Sequence, residues 1–238
     1  MIQLLMAKRK GIYYDTETTG TRPGKDRIVE LAAYDPEENR TFCTFINPGC
    51  PIPPEATAIS GITDEMVKEA PPIEEALQSF VQFCTPDIIL IAHNNDTFDR
   101  LFLEAEGKRA GLMLPTWDYI DTLKWSRKYR PDLPKHALQF LRETFGVSAN
   151  QAHRALDDCF VLHEVFRQMI DDLSWEQIHQ LLDEKGKPMR MPFGKYAGKP
   201  LSDIPKDYVS WLSSSGAFDK AENQNLKESF LHLGLLKA

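Results

Sequence analysis

The stretch Gly11-Ile12-Tyr13-Tyr14-Asp15-Thr16-Glu17-Thr18-Thr19-Gly20 decides how this chain reads. Gly11 to Tyr14 form a short, largely apolar strand running into Asp15. Residues two apart in an extended strand point to one face. Asp15 and Glu17 therefore project together, just past the run that buries the strand. Two carboxylates in that position repel each other unless a cation lies between them. Hard oxygen donors of this kind suit magnesium or manganese. A lone Asp-x-Glu is weak evidence, because a polar strand end entering a glycine turn looks the same.

Two more strands follow, Arg27 to Tyr34 and Thr41 to Ile46, and suggest an antiparallel meander. The proline-rich run Cys50 to Pro54 breaks it. Ile73 to Cys84 carries apolar residues at helical spacing. Asp87 to Ala92 reads as a strand buried on both faces. Asp99 to Ala110 reads as a helix with the apolar stripe Phe98, Leu101, Phe102 and Ala105. His136 to Phe145, stopped by Gly146, and Arg154 to Ile170 are two further helices. Strands first, then strands mixed with helices, imply an α/β fold with a mixed β-sheet.

A second unit is expected after Leu173. Ser174 and Gln177 form a capping box for a helix ending near Asp183. Next comes a basic, Gly/Pro-rich stretch holding Lys185, Lys187, Arg190, Lys195 and Lys199, with Phe193 and Tyr196 interleaved. Pro205 is placed to open a helix carrying Tyr208, Val209, Trp211 and Leu212.

Bulk properties narrow the classes. The 238 residues suffice for one large domain, or for a medium domain with a small appendage, and 42% hydrophobic content excludes global disorder. The longest apolar run, Ile88 to Ala92, is too short to span a bilayer. Met1 to Lys10 does not read as a secretory signal, and Cys43, Cys50, Cys84 and Cys159 lack CxxC spacing. The expectation is a cytoplasmic protein with reduced thiols and no zinc site. A net charge of −7 argues against a protein that coats DNA electrostatically. It is compatible with an enzyme that grips phosphate through metal ions on its own carboxylates.

Two later clusters join the first. His93-Asn94-Asn95-Asp96-Thr97-Phe98-Asp99 lies where a strand hands over to a helix, a usual place for sites in α/β sheets. Asp99 falls near the helix N-terminus, and Asp96 reads as that helix's cap. His153-Arg154-Ala155-Leu156-Asp157-Asp158 sets a histidine one helical turn from an acidic pair, where it can serve as a general base. Periodicity does not choose between Asp157 and Asp158. Four acids and a histidine fit a two-metal phosphoryl-transfer site. No Walker loop, serine elbow or HExxH competes.

These three motifs resemble those of the DEDDh 3′→5′ exonucleases, the family of bacterial proofreading subunits, exonuclease X and animal three-prime repair exonucleases. Asp15 to Gly20 looks like the first motif. His93-Asn94-x-Asp96-x-Phe98-Asp99 looks like the second, and His153 followed by Asp158 like the third. Ile59-Ser60-Gly61-Ile62-Thr63 is similar to a His-Gly-Ile-Thr segment with serine replacing histidine. The similarity covers about residues 10 to 171.

The resemblance implies a ribonuclease-H-like sheet flanked by helices in a domain spanning 8–173, with a small C-terminal module at 174–238. It implies Asp15, Glu17, Asp99 and Asp158 as ligands for two Mg²⁺ or Mn²⁺ ions, and His153 as general base, leaving Asp157 as a neighbour. Thr18, Thr19 and Asn94 are the implied substrate contacts, with Lys195 and Tyr196 of the tail added for their charge and ring. Asp121 is given a structural role. The implied product is a 5′-mononucleotide. The expected partner is nucleic acid, DNA 3′ ends before RNA, with no membrane and with a homodimer left open. A catalytically silent nucleic-acid-binding or polymerase-docking module on the same fold is the alternative.

Overall fold

The computed structural model describes residues 9–85, 87–148, 154–183, 190–220 and 223–236. These divide into two compact units between His179 and Gln180.

The deciding stretch forms the central strand of the first unit. Strand β1, Lys10–Thr18, runs through Asp15 and Glu17 rather than ending before them. It pairs antiparallel with β2, Ile28–Asp35, which pairs antiparallel with β3, Arg40–Phe45. On its other edge β1 runs parallel to β4, Ile88–Ala92, and β4 parallel to β5, Asp118–Asp121. The order β3-β2-β1-β4-β5 is the mixed sheet the sequence implies. All five residues of β4 are buried, as expected of a strand covered on both faces.

Alternation along β1 sorts its side chains onto two layers. Ile12 and Tyr14 enter a core with Leu77 and Phe80 of α3, Ile73–Phe83, and Phe102 and Leu103 of α4, Asp99–Arg109. Burial of each such side chain is worth about 1.5–3 kcal/mol. The opposite face packs on α7, Ala155–Ile170. There Tyr13 meets His163 edge-on, with ring centroids 5.0 Å apart, and Tyr34 meets Phe160 at 4.6 Å.

Among the described residues of the first unit, four α-helices and strands escape the sequence pattern: α1 (Pro54–Ser60), α2 (Asp64–Val67), β5 and α5 (Thr122–Tyr129). Helix α6, Leu138–Thr144, is shorter than expected and ends ahead of Gly146. The apolar stripe of α4 is shifted: Phe102 and Leu103 are buried with Glu106, while Leu101 is 39% exposed. Glu106 can occupy that inner face because Arg109 pairs with it at 2.6 Å and the Ile28 N–H donates to it at 3.3 Å.

Helix α8, Trp175–Asp183, opens with the expected capping box. The Ser174 N–H donates to Gln177 Oε1 at 2.8 Å, and the Gln177 N–H donates to Ser174 Oγ at 3.3 Å. Trp175 lies against the backbone of β1.

The described part of the second unit has its own core of Met191, Leu201, Val209, Leu212, Phe218 and Phe230. It contains α9, Lys206–Ser214, preceded by Pro205, and α10, Gln224–His232. Gly194 holds a left-handed φ of 74°, and a Cβ there would meet the Tyr208 hydroxyl at 2.6 Å. Glycine at that position is what lets Tyr208 approach the turn.

A Cβ added at Gly11 would lie 2.5 Å from the Trp175 ring and 2.8 Å from Ile91. Gly11→Ala is therefore expected to cost about 1–3 kcal/mol by overpacking. Adding Trp175→Leu should recover part of that loss, since the two sites are in contact. Urea denaturation of the two single variants and the double variant tests this; purely additive losses would contradict the contact.

Candidate active site

Position on β1 decides where the first two acids go. Asp15 and Glu17 share the face of Tyr13, which is the face covered by α7. Asp158 lies in the first turn of α7. One carboxylate oxygen from each of Asp15, Glu17 and Asp158 lies within 4.8 Å of the other two. Asp158 Oδ1 also accepts from Gln139 Nε2 at 3.0 Å.

Asp99 opens α4 beside this trio without entering the 4.8 Å group. Its Oδ1 accepts from the Thr16 N–H at 3.1 Å and the Thr16 hydroxyl at 2.7 Å, which ties the α4 N-terminus to β1.

Negative charge is concentrated here. Among the described residues, Asp15, Glu17 and Asp99 form no ion pair with a cationic side chain. Burial, then the charges of Asp99, Glu17 and Asp158, holds the Asp15 carboxyl well above the ordinary carboxylate range. Glu17 is pushed up to about 8 by burial and by Asp158, Glu30 and Asp99. Asp99 is pushed up to about 7 by burial, against the Thr16 hydrogen bonds that favour its charge. Such a set either binds protons or binds a hard cation.

A residue the sequence did not flag holds the frame. Glu30 on β2 is 1% exposed and stands opposite Glu17 in the β1–β2 register. It accepts from Arg154 Nη2 at 2.9 Å and from the Ala155 N–H at 3.1 Å. It thus satisfies an open donor at the start of α7 and fixes the helix that carries Asp158. A charged residue inside the apolar run Ile28 to Ala33 was the available signal.

Other expected residues have defined places. Asp96 does not cap α4. It sits in a single 3-10 turn, Asn95–Thr97, and pairs with Lys124. The residue before α4 is Phe98, and no side chain caps the helix. Asp121 is structural: it accepts from the backbone N–H groups of Asn94, Asp96, Leu123 and Lys124 and caps α5. Asn94 adopts a left-handed φ of 70° and accepts from the Thr97 hydroxyl. Ser60 closes α1, donating to Ala56 O and accepting from the Ile62 N–H.

Thr18 donates to Gly20 O at 2.6 Å, and the buried Thr19 hydroxyl accepts from the Arg27 N–H at 2.9 Å. Both line a cleft of about 510 Å³ beside Glu17, together with Arg22, Ile59 and Phe98. Ile59 is 62% exposed, an apolar side chain held open at the rim. His153, Lys185 and Lys187 lie outside the described residues. Lys195 is exposed and Tyr196 half-buried, both in the second unit. All four cysteines are free. No described helix is long and apolar enough to cross a membrane.

Comparison with known proteins places these features. The family model described as "Exonuclease" matches residues 12–166. A second, described as "Putative quorum-sensing-regulated virulence factor", matches residues 179–230. The PolC-type DNA polymerase III of Caldanaerobacter subterraneus is 37% identical over 165 residues, 68% of this chain but 12% of that protein. The PolC-type enzyme of Streptococcus pneumoniae is 36% identical over 157 residues, 65% of this chain and 11% of that protein. The chain thus spans only about a tenth of these relatives' length.

Among solved structures, Exonuclease X in complex with 5′ overhanging duplex DNA is 25% identical with a TM-score of 0.58. The match covers 72% of this chain and 99% of that one. E. coli Exonuclease I in complex with a dA16 oligonucleotide shares the fold at 21% identity and a TM-score of 0.63, covering 76% of this chain and 44% of that one.

The raised carboxyls carry a stability signature. Between the unfolded values near 4 and the folded values of Glu17 and Asp99, near 8 and 7, the native state holds more protons than the unfolded state. Stability contributed by these groups therefore falls as pH rises through that window. In EDTA, the melting temperature should drop between pH 5 and pH 8.5, and Glu17→Gln should flatten the drop. Mg²⁺ should raise it more at pH 8 than at pH 5.5. A Glu17→Gln profile parallel to wild type would count against this electrostatic account.

Proposed function

This chain belongs to the exonuclease family, and on that premise we propose that it is a divalent-metal-dependent 3′→5′ exonuclease. It releases 5′-mononucleotides from nucleic-acid ends, DNA in preference to RNA. The observation that carries the reading is the convergence of Asp15, Glu17 and Asp158 oxygens within 4.8 Å, beside the buried Asp99. The donor set is all carboxylate, which suits Mg²⁺ or Mn²⁺. The direction of cleavage rests on the resemblance of the three motifs to DEDDh enzymes. The preference for DNA rests on the complexes of Exonuclease X and E. coli Exonuclease I with DNA.

Asp15, Glu17, Asp99 and Asp158 are the residues that would hold two ions. Bound there, the ions would supply neutralisation of the scissile phosphate and an acidified water. Asp15, shared on the central strand, anchors the set to the sheet. Thr16 orients Asp99 through two hydrogen bonds, and Gln139 orients Asp158. His153 takes the proton from the attacking water. Thr18 and Thr19 border the cleft that receives the terminal nucleotide. Phe98 and the exposed Ile59 give that cleft an apolar wall for a base. A cytoplasmic location accords with the free thiols.

The test is degradation of 3′- and 5′-labelled single- and double-stranded DNA and RNA oligomers. Activity should vanish in EDTA and return with Mg²⁺ or Mn²⁺; full activity in chelator would overturn the reading. Asp15→Asn and Asp158→Asn should abolish cleavage with the fold retained, whereas Asp157→Asn should reduce it only mildly. His153→Ala should slow turnover about 10²–10⁴-fold with metal affinity near normal. An inactive wild-type protein under all metals, still binding DNA, would mark a silent binding module instead.

A further inference from the structure

The second unit buries its core without using all of its aromatic residues. On α9, Val209 and Leu212 are 1% exposed, but Trp211 between them is 55% exposed. Helical spacing puts Trp211 on the outer side, where it contributes little to the core it borders. It is not isolated there. Tyr208 stacks on it, with centroids 5.3 Å apart and planes 27° apart, and Tyr196 meets Tyr208 edge-on at 4.7 Å. The three rings form a continuous ladder ending in an open indole.

Positive charge lines the same ladder. The Lys195 and Lys199 ammonium groups sit over the Tyr196 ring, 5.4 and 5.7 Å from its centroid. Arg190 is held on the same turn by donating to Gly198 O at 2.9 Å. From Arg190 to Pro200 there are three basic side chains and no acidic one, in a chain whose net charge is −7. The turn is built for this display: its backbone closes through Met191 N–H to Lys199 O at 2.8 Å, and Gly194 admits the Tyr208 hydroxyl. The lysines cover Tyr196, so the ring free to accept a base is Trp211, which the sequence pattern placed on this helix without a nucleic-acid role.

We propose that Trp211, stacked on Tyr208, is a second nucleic-acid contact, carried by the second unit, that holds single-stranded DNA together with Lys195 and Lys199 at the Tyr196 end of the same ring ladder. An open indole offers a face to any unstacked base, and the ammonium groups meet the backbone phosphates. Duplex DNA lacks the exposed base faces that the ladder needs. The choice of DNA as occupant rests on the proposed function, but the contact itself does not require hydrolysis.

The test uses the full chain in EDTA, so no outcome depends on cleavage. Affinity for a labelled dT15 strand is measured by fluorescence anisotropy across a salt series. Intrinsic tryptophan emission is followed in parallel, Trp117 and Trp125 being buried and Trp175 half-buried, so that the Trp211→Phe variant isolates the Trp211 signal. Wild type should show emission quenched by dT15, and Trp211→Phe should remove most of that quenching. Trp211→Ala should weaken binding about tenfold. The double variant Lys195→Gln/Lys199→Gln should reduce the slope of log affinity against log salt by about 1.4, from two lost single-strand phosphate contacts. Both sites are exposed, and circular dichroism with thermal melting confirms that the variants fold. Unchanged affinity and slope in folded variants, or rU15 bound more than tenfold tighter than dT15, would overturn the proposal. Loss of nuclease activity with this binding intact would instead count against the proposed function alone.

Discussion

Glu30 is the joint on which the candidate site depends. It is a buried carboxylate on β2, one strand over from the motif, and it is anchored by the Arg154 guanidinium and the first N–H of α7. Those contacts set where α7 begins, and with it where Asp158 stands relative to Asp15 and Glu17. Helix α7 covers one face of β1 and β2, so an error in its starting position would reach Tyr13, Tyr34 and the packing of Phe160 and His163. A partly buried pair of this sort contributes specificity of geometry more dependably than net stability. Its second effect is electrostatic. Glu30 raises the proton affinity of Glu17, and Arg154 lowers it, so the clamp also tunes the cluster it positions.

The cost of the site is visible in the apo electrostatics. Four acids are brought against the sheet with two held by neutral donors, Thr16 and Gln139. Neutral donors orient a carboxylate without cancelling its charge, which keeps it available to a cation. A lysine or arginine in the same place would have stabilised the apo protein and competed with a metal. Arg154, a nearby guanidinium, pairs with Glu30. Among the described residues Glu30 takes the cation while Asp15, Glu17 and Asp99 do not, and this separates a ligand cluster from a surface acidic patch.

How much of this the sequence disclosed follows from which signals are local. Strands β1 to β4 and helices α3, α7, α8 and α9 rest on periodicity or caps within one segment; β2 to β4, α3 and α7 agree with the pattern to a residue or two, while β1 runs four residues past Tyr14. The face-sharing of Asp15 and Glu17 follows from strand alternation alone. By contrast, β5 has four residues with an aspartate at each end, so neither composition nor length marks it. The N-cap at Asp121 was the signal for α5. The stripe of α4 was misplaced because Glu106 occupies an inner position, where its partners Arg109 and Ile28 are supplied by tertiary structure. Asp96 has the composition of a cap but faces Lys124, which only the fold brings near. Glu30 was missed for the same reason: its meaning lies in a partner 124 residues away.

The two units show the same logic applied to opposite charge. In the first, carboxylates converge beside an Arg154 that pairs with Glu30. In the second, the ammonium groups of Lys195 and Lys199 gather over one ring, and a helix turns an indole outward. Each arrangement is unfavourable by itself, since buried acids repel and an exposed tryptophan gives up hydrophobic burial. On the proposed readings, a bound cation would answer the first and an unstacked base the second. The stacking of Tyr208 on Trp211 matters in that argument. It prepares the indole in one orientation before any strand arrives, so that a base meets a ring already ordered and little side-chain entropy remains to be lost on contact.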